Sequence, residues 1–292
     1  MFFYFLYRTG QFIALRFPLK SVYGLAVFIA GIHFLFSRRD RQAVYLNLKT
    51  IFPEKSEKEI KRIRINIFRN FAKYLVDFFR YPVLDREYID KNISVRNMHY
   101  VDEALAKGKG GILLAAHIGN WELGGVVIAA LRYKLSAVAL THKNEKVNRF
   151  FDEKRETMGI KVIPLHNSLR KCFRVLKENE LVALLGDREF TRNGGVIADF
   201  LGKKALLPQG PSFLALKSGA AIIPGCMVRN KDDRFTLMFE RPIYPPDTGS
   251  FEDNLHLLQA EANRVIEKWV RSFPEQWYVF RKYWVDDGGE VE

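Results

Sequence analysis

The stretch "GILLAAHIGNWELGG", Gly111 to Gly125, decides how this chain is read. Ile112 to Ala116 is a short aliphatic run that predicts a buried strand, and Trp121 to Leu131 predicts an apolar helix. Between them Gly119 suits a tight turn, and Asn120 is placed to cap the helix by accepting one of its free amides. His117 then stands at the strand's end and Glu122 in the first helical turn. On one continuous helix these two side chains would point about 140° apart. The turn removes that objection: the Glu122 carboxylate can fold back onto the imidazole, hold one ring nitrogen and leave the other to take a proton as a general base. Two readings stand on this segment alone. One is a His117–Glu122 catalytic dyad; the other is a satisfied turn histidine beside an acid that favours the positive helix terminus.

Outward from this stretch, short apolar runs alternate with polar or helical ones. Ile93–Val95, Leu135–Leu140, Lys161–Pro164 and Leu181–Leu185 read as strands. Ala220–Val228 and Arg234–Phe239 are separated by "RNKDD" as a hairpin, and a helix over Asn254–Arg271 is stopped by Pro274. The alternation predicts an α/β fold, a mixed sheet flanked by helices. A second strand end carries polar residues, with Asp187 and Arg188 directly after Leu181–Leu185. Ligands of open α/β sheets gather at the carboxyl ends of strands, so His117 and Asp187 are expected to line one crevice. Between them, "LTHKNEKVNRFFDEKRETMGIKVIP" reads as a polar helix in which Arg155 either serves the site or belongs to a solvated face.

A chain of 292 residues, 48% hydrophobic and 14% aromatic, is long and apolar enough to bury one large core or two modest ones. Its 46 Lys and Arg against 33 Asp and Glu leave +13, which suits an anionic partner: nucleic acid, a phospholipid surface or an acidic protein. Cys172 and Cys226 have neither disulfide-framework nor metal-ligand spacing, and a reducing compartment is the simpler reading. The amino-terminal segment narrows the partner. No acidic residue precedes Asp40, and Ser21 to Ser37 is a charge-free run that spans roughly 25 Å as a helix against roughly 30 Å of hydrocarbon. It ends in Ser-Arg-Arg-Asp-Arg without a small-residue cleavage site, so a retained anchor, embedded or just spanning, is favoured over a secretory signal, with a buried helical hairpin as the alternative. The expected organisation is a membrane anchor over 1–40 and a catalytic α/β domain over 41–292. From Pro53 an amphipathic helix begins with Ser56 and Glu59 in capping-box register. Its polar face carries Lys58, Lys61, Arg62, Arg64, Arg69 and Lys73, set to meet anionic lipid, an acidic carrier or only solvent.

These features together carry a resemblance. The basic apolar start, "HIGNWELGG", "NRFFDEKRETMG", "GDREFTRNGGVIADFLGKKALLPQG", "AAIIPG" and the terminal "PEQWYVFRKYW" make the chain similar to bacterial lipid A biosynthesis acyltransferases, within the wider lysophospholipid acyltransferase-like group. The resemblance implies His117 as the base and Glu122 as its carboxylate. It also implies that Arg155 and Asp187 help shape the donor and acceptor site, and Asn120 and Arg188, at the same two turns, are expected to bind substrate beside them. The implied reaction is O-acyl transfer from acyl carrier protein or coenzyme A to a hydroxyl of a membrane glycolipid, a lipid A precursor first, on the cytoplasmic face of the bacterial inner membrane. Neither a metal nor a cofactor is called for, and nucleic acid is not the implied partner. Within the family, other glycolipids, aminolipids and lysophospholipids stay open as acceptors. From other classes, a non-catalytic membrane or nucleic-acid binding protein accounts for the charge but not for the His117 turn, and a thioesterase would use the same dyad on water. No G-x-S-x-G or H-E-x-x-H occurs, which disfavours serine-hydrolase and zinc-hydrolase chemistry.

Overall fold

The aliphatic run of the opening stretch becomes a central strand of a seven-stranded sheet. The computed structural model describes residues 2–166, 168–189 and 195–285. The strands in chain order are β1 (Ile93–Arg96), β2 (Gly111–Ala115), β3 (Leu135–Ala139), β4 (Ile160–Pro164), β5 (Leu181–Leu185), β6 (Gly195–Phe200), β7 (Lys203–Pro208), β8 (Ala221–Arg229) and β9 (Phe235–Phe239). The helices are α1 (Phe2–Arg16), α2 (Leu19–Phe36), α3 (Arg38–Ile51), α4 (Glu57–Phe79), α5 (Arg86–Asn92), α6 (His99–Leu105), α7 (Trp121–Ala130), α8 (Glu145–Thr157), α9 (Ser168–Lys177), α10 (Gly210–Ser218) and α11 (Phe251–Ser272).

The large sheet has the order β1-β9-β8-β2-β5-β3-β4. From β8 to β4 its strands are parallel, β9 returns antiparallel to β8, and β1 lies parallel to β9. This is the mixed α/β sheet expected from the alternation. Side chains of a strand alternate between faces, and β2 shows the consequence: Ile112 and Leu114 enter one core, Leu113 the other. Helices α9, α10 and α11 cover the first face, α6 and α7 the second. Fully buried Trp269 of α11 and Phe235 of β9 mark the two cores. The expected hairpin after β8 and the helix ending before Pro274 are both present.

One pair of strands lay outside the sequence reading. "GVIADFLGKKALLP" folds into the separate two-stranded β6–β7, with Phe200 facing Lys203 across a Leu201-Gly202 turn. Both turn residues have positive φ, +52° and +94°, the geometry that matches the twist of a two-residue hairpin. The preceding part of that motif, residues 190–194, lies outside the described residues.

The amino-terminal helices pack on the body. Pro18 separates α1 from α2, and α2 runs antiparallel along α4: Tyr23 reaches Asp77 at one end, and Phe34 meets Phe68 edge-on at 5.1 Å toward the other. Ala14, Val22 and Tyr23 belong to the second core. Arg80 ties the body to the carbonyl of Ala14. The opposite side of the two helices leaves Phe12, Phe28, Leu35 and Phe36 at least 65% exposed. α2 is long and apolar enough to cross a membrane, and 17% of it is buried. The capping box at the start of α4 is formed as read: Ser56 Oγ accepts from Glu59 N–H and the Glu59 carboxylate from Ser56 N–H.

Candidate active site

Register brings the two polar strand ends together. β2 and β5 pair with Ala115 opposite Leu185, so the residues two positions further on, His117 and Asp187, emerge side by side at the carboxyl edge of the sheet. Gly186 N–H donating to the Ala115 carbonyl at 2.8 Å extends the pairing to the site. Asp187 is fully buried. Its Oδ1 lies 2.7 Å from His117 Nδ1, and its Oδ2 accepts from His117 N–H and from Trp277 Nε1–H, both at 3.0 Å. Tyr283 O–H donates to its carbonyl. Burial alone pushes the Asp187 carboxyl up, but the positive charge on offer from His117 and these donors outweigh it and hold it below the usual carboxylate range.

The turn that carries His117 is fixed on two sides. Gly119 N–H donates to the Gln276 carbonyl at 2.8 Å, Asn120 N–H to the Met227 carbonyl at 2.8 Å, and Tyr278 N–H to the His117 carbonyl at 2.9 Å. Gly119 has φ +63°, and a Cβ there would stand 1.9 Å from the Met227 carbonyl oxygen, so no other residue fits without moving β8. Trp121 meets the imidazole edge-on at 5.1 Å and is itself stacked on Tyr74 at 4.5 Å.

The carboxylate bonded to the His117 ring is thus Asp187, where the sequence reading had placed Glu122. The physical reason is the β2–β5 register, invisible in one segment alone. Glu122 sits in the first turn of α7 and meets a guanidinium instead: Arg155 Nε donates to its Oε2 at 3.0 Å and Arg155 Nη2 to its Oε1 at 2.5 Å. The third guanidinium nitrogen, Nη1, donates to Asp152 at 3.3 Å. Both partners of this fork line the cavity described below, and the Arg155 side chain is 11% exposed, so it does not lie on a solvated face. Asn120 is the helix cap that was expected, accepting from Leu123 N–H at 3.1 Å. Its Nδ2 donates inward to Asp77 at 2.9 Å, and the residue is 1% exposed, so its side chain faces the protein and not a substrate.

His117, Glu122, Arg155 and Arg188 open onto a cavity of about 670 Å³, within the range of small-ligand and cofactor sites. It extends on both faces of the sheet. On the α7 side its wall is Leu113, Gly124, Gly125 and Ile128; on the other it is Leu169, Cys172, Phe213 and Leu214. Burial, and then the neighbouring Arg281, hold the Arg188 guanidinium below its usual pKa.

Asp77, Arg229, Trp277 and Tyr283 were missed from the sequence. The available signal was the density of aromatics in "PEQWYVFRKYW" just after a helix stop, which marks a segment laid against a core. Chemically, the arrangement is a histidine oriented by a buried carboxylate at the mouth of an apolar cavity, beside a helix amino terminus. It suits proton abstraction from a hydroxyl and stabilisation of an oxyanion.

The known proteins this chain is similar to are acyltransferases. The family described as bacterial lipid A biosynthesis acyltransferase matches residues 1–285. A phosphatidylinositol mannoside acyltransferase of Mycolicibacterium smegmatis is 31% identical over 222 residues, 75% of this chain and 71% of that protein. Its counterpart in Mycobacterium tuberculosis H37Rv is 29% identical over 76% of this chain and 70% of its own length. The lipid A biosynthesis lauroyltransferase of Escherichia coli K12 is 23% identical over 91% of this chain and 85% of its own.

Proposed function

Because the chain belongs to the bacterial lipid A biosynthesis acyltransferase family, we propose that it moves a fatty acyl group from an acyl thioester to a sugar hydroxyl of a membrane glycolipid, with His117 as the general base. The observation that carries this reading is the His117–Asp187 pair at the mouth of the largely apolar cavity. With Nδ1 held by Asp187, Nε2 takes the proton of the acceptor hydroxyl. The oxygen attacks the thioester carbonyl, and a tetrahedral oxyanion forms. It collapses with loss of the thiolate, which recovers the proton from the imidazolium. Asp187 stabilises that imidazolium and fixes the tautomer. Three of the five Arg155 N–H groups are engaged by Glu122 and Asp152, and the oxyanion is assigned to the first amides of α7, those of Trp121 and Glu122, which stand at the positive end of the helix beside His117. The Glu122–Arg155 fork shapes the wall beside them. The cavity takes the acyl chain, and Arg188 meets a phosphate of donor or acceptor.

The apolar side of α1 and α2 supports a membrane-held enzyme. α2 lies along α4, which exposes Lys58, Lys61, Arg62 and Arg69, and a helix so paired does not cross a bilayer alone. In this reading the two helices are embedded in one leaflet, the cytoplasmic one, where acyl carrier protein and coenzyme A thioesters are found.

Two acceptors are carried forward. The family description favours a lipid A precursor, and the 31% identity to a phosphatidylinositol mannoside acyltransferase favours a mannosylated phosphoinositide. Lipid mass spectrometry after deletion of the gene separates them. Loss of one acyl mass from lipid A, or from the mannosylated phosphoinositides, identifies the acceptor. Both glycolipids unchanged, with altered phospholipids only, contradicts the proposal.

A further inference from the structure

We propose that Tyr23, Asp77 and Asn120 are positioning residues that, with Arg229, tie the seating of the apolar helix α2 to the set of the His117 turn, so that acyl transfer is fast only when α2 is docked on α4. The proposal rests on the reading of His117 as the base, and it concerns groups that touch neither the cavity nor the reacting atoms.

The geometry is a buried polar relay between two apolar cores. Asp77, 5% exposed in the last turns of α4, accepts from Tyr23 O–H of α2, from Arg229 Nη2 of β8 and from Asn120 Nδ2 at 2.9 Å. Arg229 Nη1 donates to the Tyr23 oxygen at 3.0 Å and to Asp233 at 3.4 Å, and Lys73 closes the outer end on Asp233 at 2.7 Å. Through its backbone, Arg229 exchanges two hydrogen bonds with the Gln276 side chain, at 2.8 and 2.9 Å, and the Gln276 carbonyl accepts from Gly119. Both routes from Asp77 therefore end on the segment that presents His117: one through the Asn120 side chain, the other through Arg229 and Gln276.

Asn120 is the sensitive joint. Its Oδ1 caps α7 and its Nδ2 is held by Asp77, so it cannot rotate without giving up one of them. In a buried setting, each donor removed from Asp77 leaves charge that the remaining partners must move to cover. Tyr23 is the only member on α2. If α2 lifts from α4, Asp77 and Arg229 lose the hydroxyl they share, and the adjustment runs toward Asn120 and Gly119. A purely structural cluster of the same residues would alter stability but not the rate at fixed fold.

Two variants separate these roles. Asn120→Ser keeps a cap oxygen for Leu123 N–H and removes the Nδ2 that reaches Asp77, its hydroxyl ending one atom short of it; Tyr23→Phe keeps the ring and deletes the hydroxyl. The full-length protein in phosphatidylglycerol vesicles is assayed with palmitoyl-coenzyme A and the mixed glycolipids of the source membrane. The His117 imidazole is followed in parallel by NMR, which needs no substrate. The expected result is that each variant lowers kcat roughly 10- to 100-fold with KM within about twofold, as for a sub-ångström misplacement of a reacting group. The double variant should be no slower than the slower single, and the His117 Nδ1 proton signal should shift in both. The proposal is overturned if folded Asn120→Ser and Tyr23→Phe keep wild-type kcat and an unshifted imidazole signal, or if their losses multiply in the double variant. His117→Ala is run beside them. Activity retained there removes the base reading itself, whereas an inactive His117→Ala with wild-type single variants removes only the positioning role.

Discussion

Asp187 is the residue whose environment says most about the chemistry. A carboxylate with no solvent contact is tolerated only if its charge is met, and His117, the His117 amide and the Trp277 indole meet it. Its pKa is lower folded than unfolded. The stabilisation is therefore complete above the ordinary carboxylate value of 3.8 and is lost as pH falls through the folded value. Asp187→Asn is expected to lower stability by about 2 kcal/mol at pH 7. Thermal melts at several pH values should show that deficit narrowing below about pH 4; a deficit independent of pH contradicts the assignment. The same variant should lower kcat by about 10² to 10⁴, because an amide fixes the ring without stabilising imidazolium. At this scale the sequence showed both polar strand ends and the crevice they share. It did not show which carboxylate reaches the ring: Glu122 is near in sequence and Asp187 is 70 residues away, and only the β2–β5 register decides between them. Glu122→Gln, which leaves Arg155 facing a neutral amide, is expected to raise KM for the donor more than it lowers kcat. A kcat loss as large as that of Asp187→Asn, with KM unchanged, would return Glu122 to the base.

The elements that were legible are those with strong local periodicity. β5 appears with the bounds that were read, and α4 begins at its capping box, since alternation and caps act over a few residues. The β6–β7 hairpin was not legible because its turn places Leu201 at positive φ, a position where sequence rules look for Gly or Asn. The basic face of α4 was legible only in part. Lys73 pairs with Asp233, and Arg64 lies over the Phe34 and Tyr45 rings at 5.5 and 5.6 Å, which leaves Lys58, Lys61, Arg62 and Arg69 exposed. Where α8 meets α1, Lys154 is 6% exposed above the Phe150 ring, and burial followed by Arg8 pushes its ammonium down to about 8. A lysine whose pKa is lower folded than unfolded opposes folding below the folded value, and the penalty fades as pH rises toward 10.5. Lys154→Met should therefore stabilise the protein at pH 7, by about 1 kcal/mol once solvent screening is allowed for. Denaturation midpoints should show the gain shrinking from about pH 8 and gone by about pH 10.5; a destabilised variant at pH 7 contradicts it.

At the scale of the whole molecule, one side presents apolar surface from α1 and α2 and the sheet's carboxyl edge presents the site. Phe12, Phe28, Leu35 and Phe36 lie on the surface of a chain whose other large apolar side chains mostly form two cores. Apolar contact with a bilayer survives salt, whereas charge contact is screened beyond roughly 10 Å at 0.1 M. High salt should thus leave the protein on membranes, while Phe28→Glu with Leu35→Glu should release it; extraction of the wild type by salt alone would assign attachment to the cations. That an apolar segment begins the chain was plain from composition. That it is bonded through Tyr23 to the interior was not, because a tyrosine in an apolar run also reads as an interfacial anchor.

The central claim, transfer of an acyl group from a thioester to a glycolipid hydroxyl by a histidine base, is tested most directly with the purified full-length protein in vesicles. Glycolipids of the source membrane are supplied with an isotopically labelled acyl thioester, and thiol release and labelled lipid are measured together. The account predicts one new ester on a glycolipid for each thiol released, and a loss of about 10² to 10⁴ in rate for a folded His117→Ala. Thiol release matched by free labelled fatty acid with no acylated lipid, or wild-type transfer by His117→Ala, would contradict it.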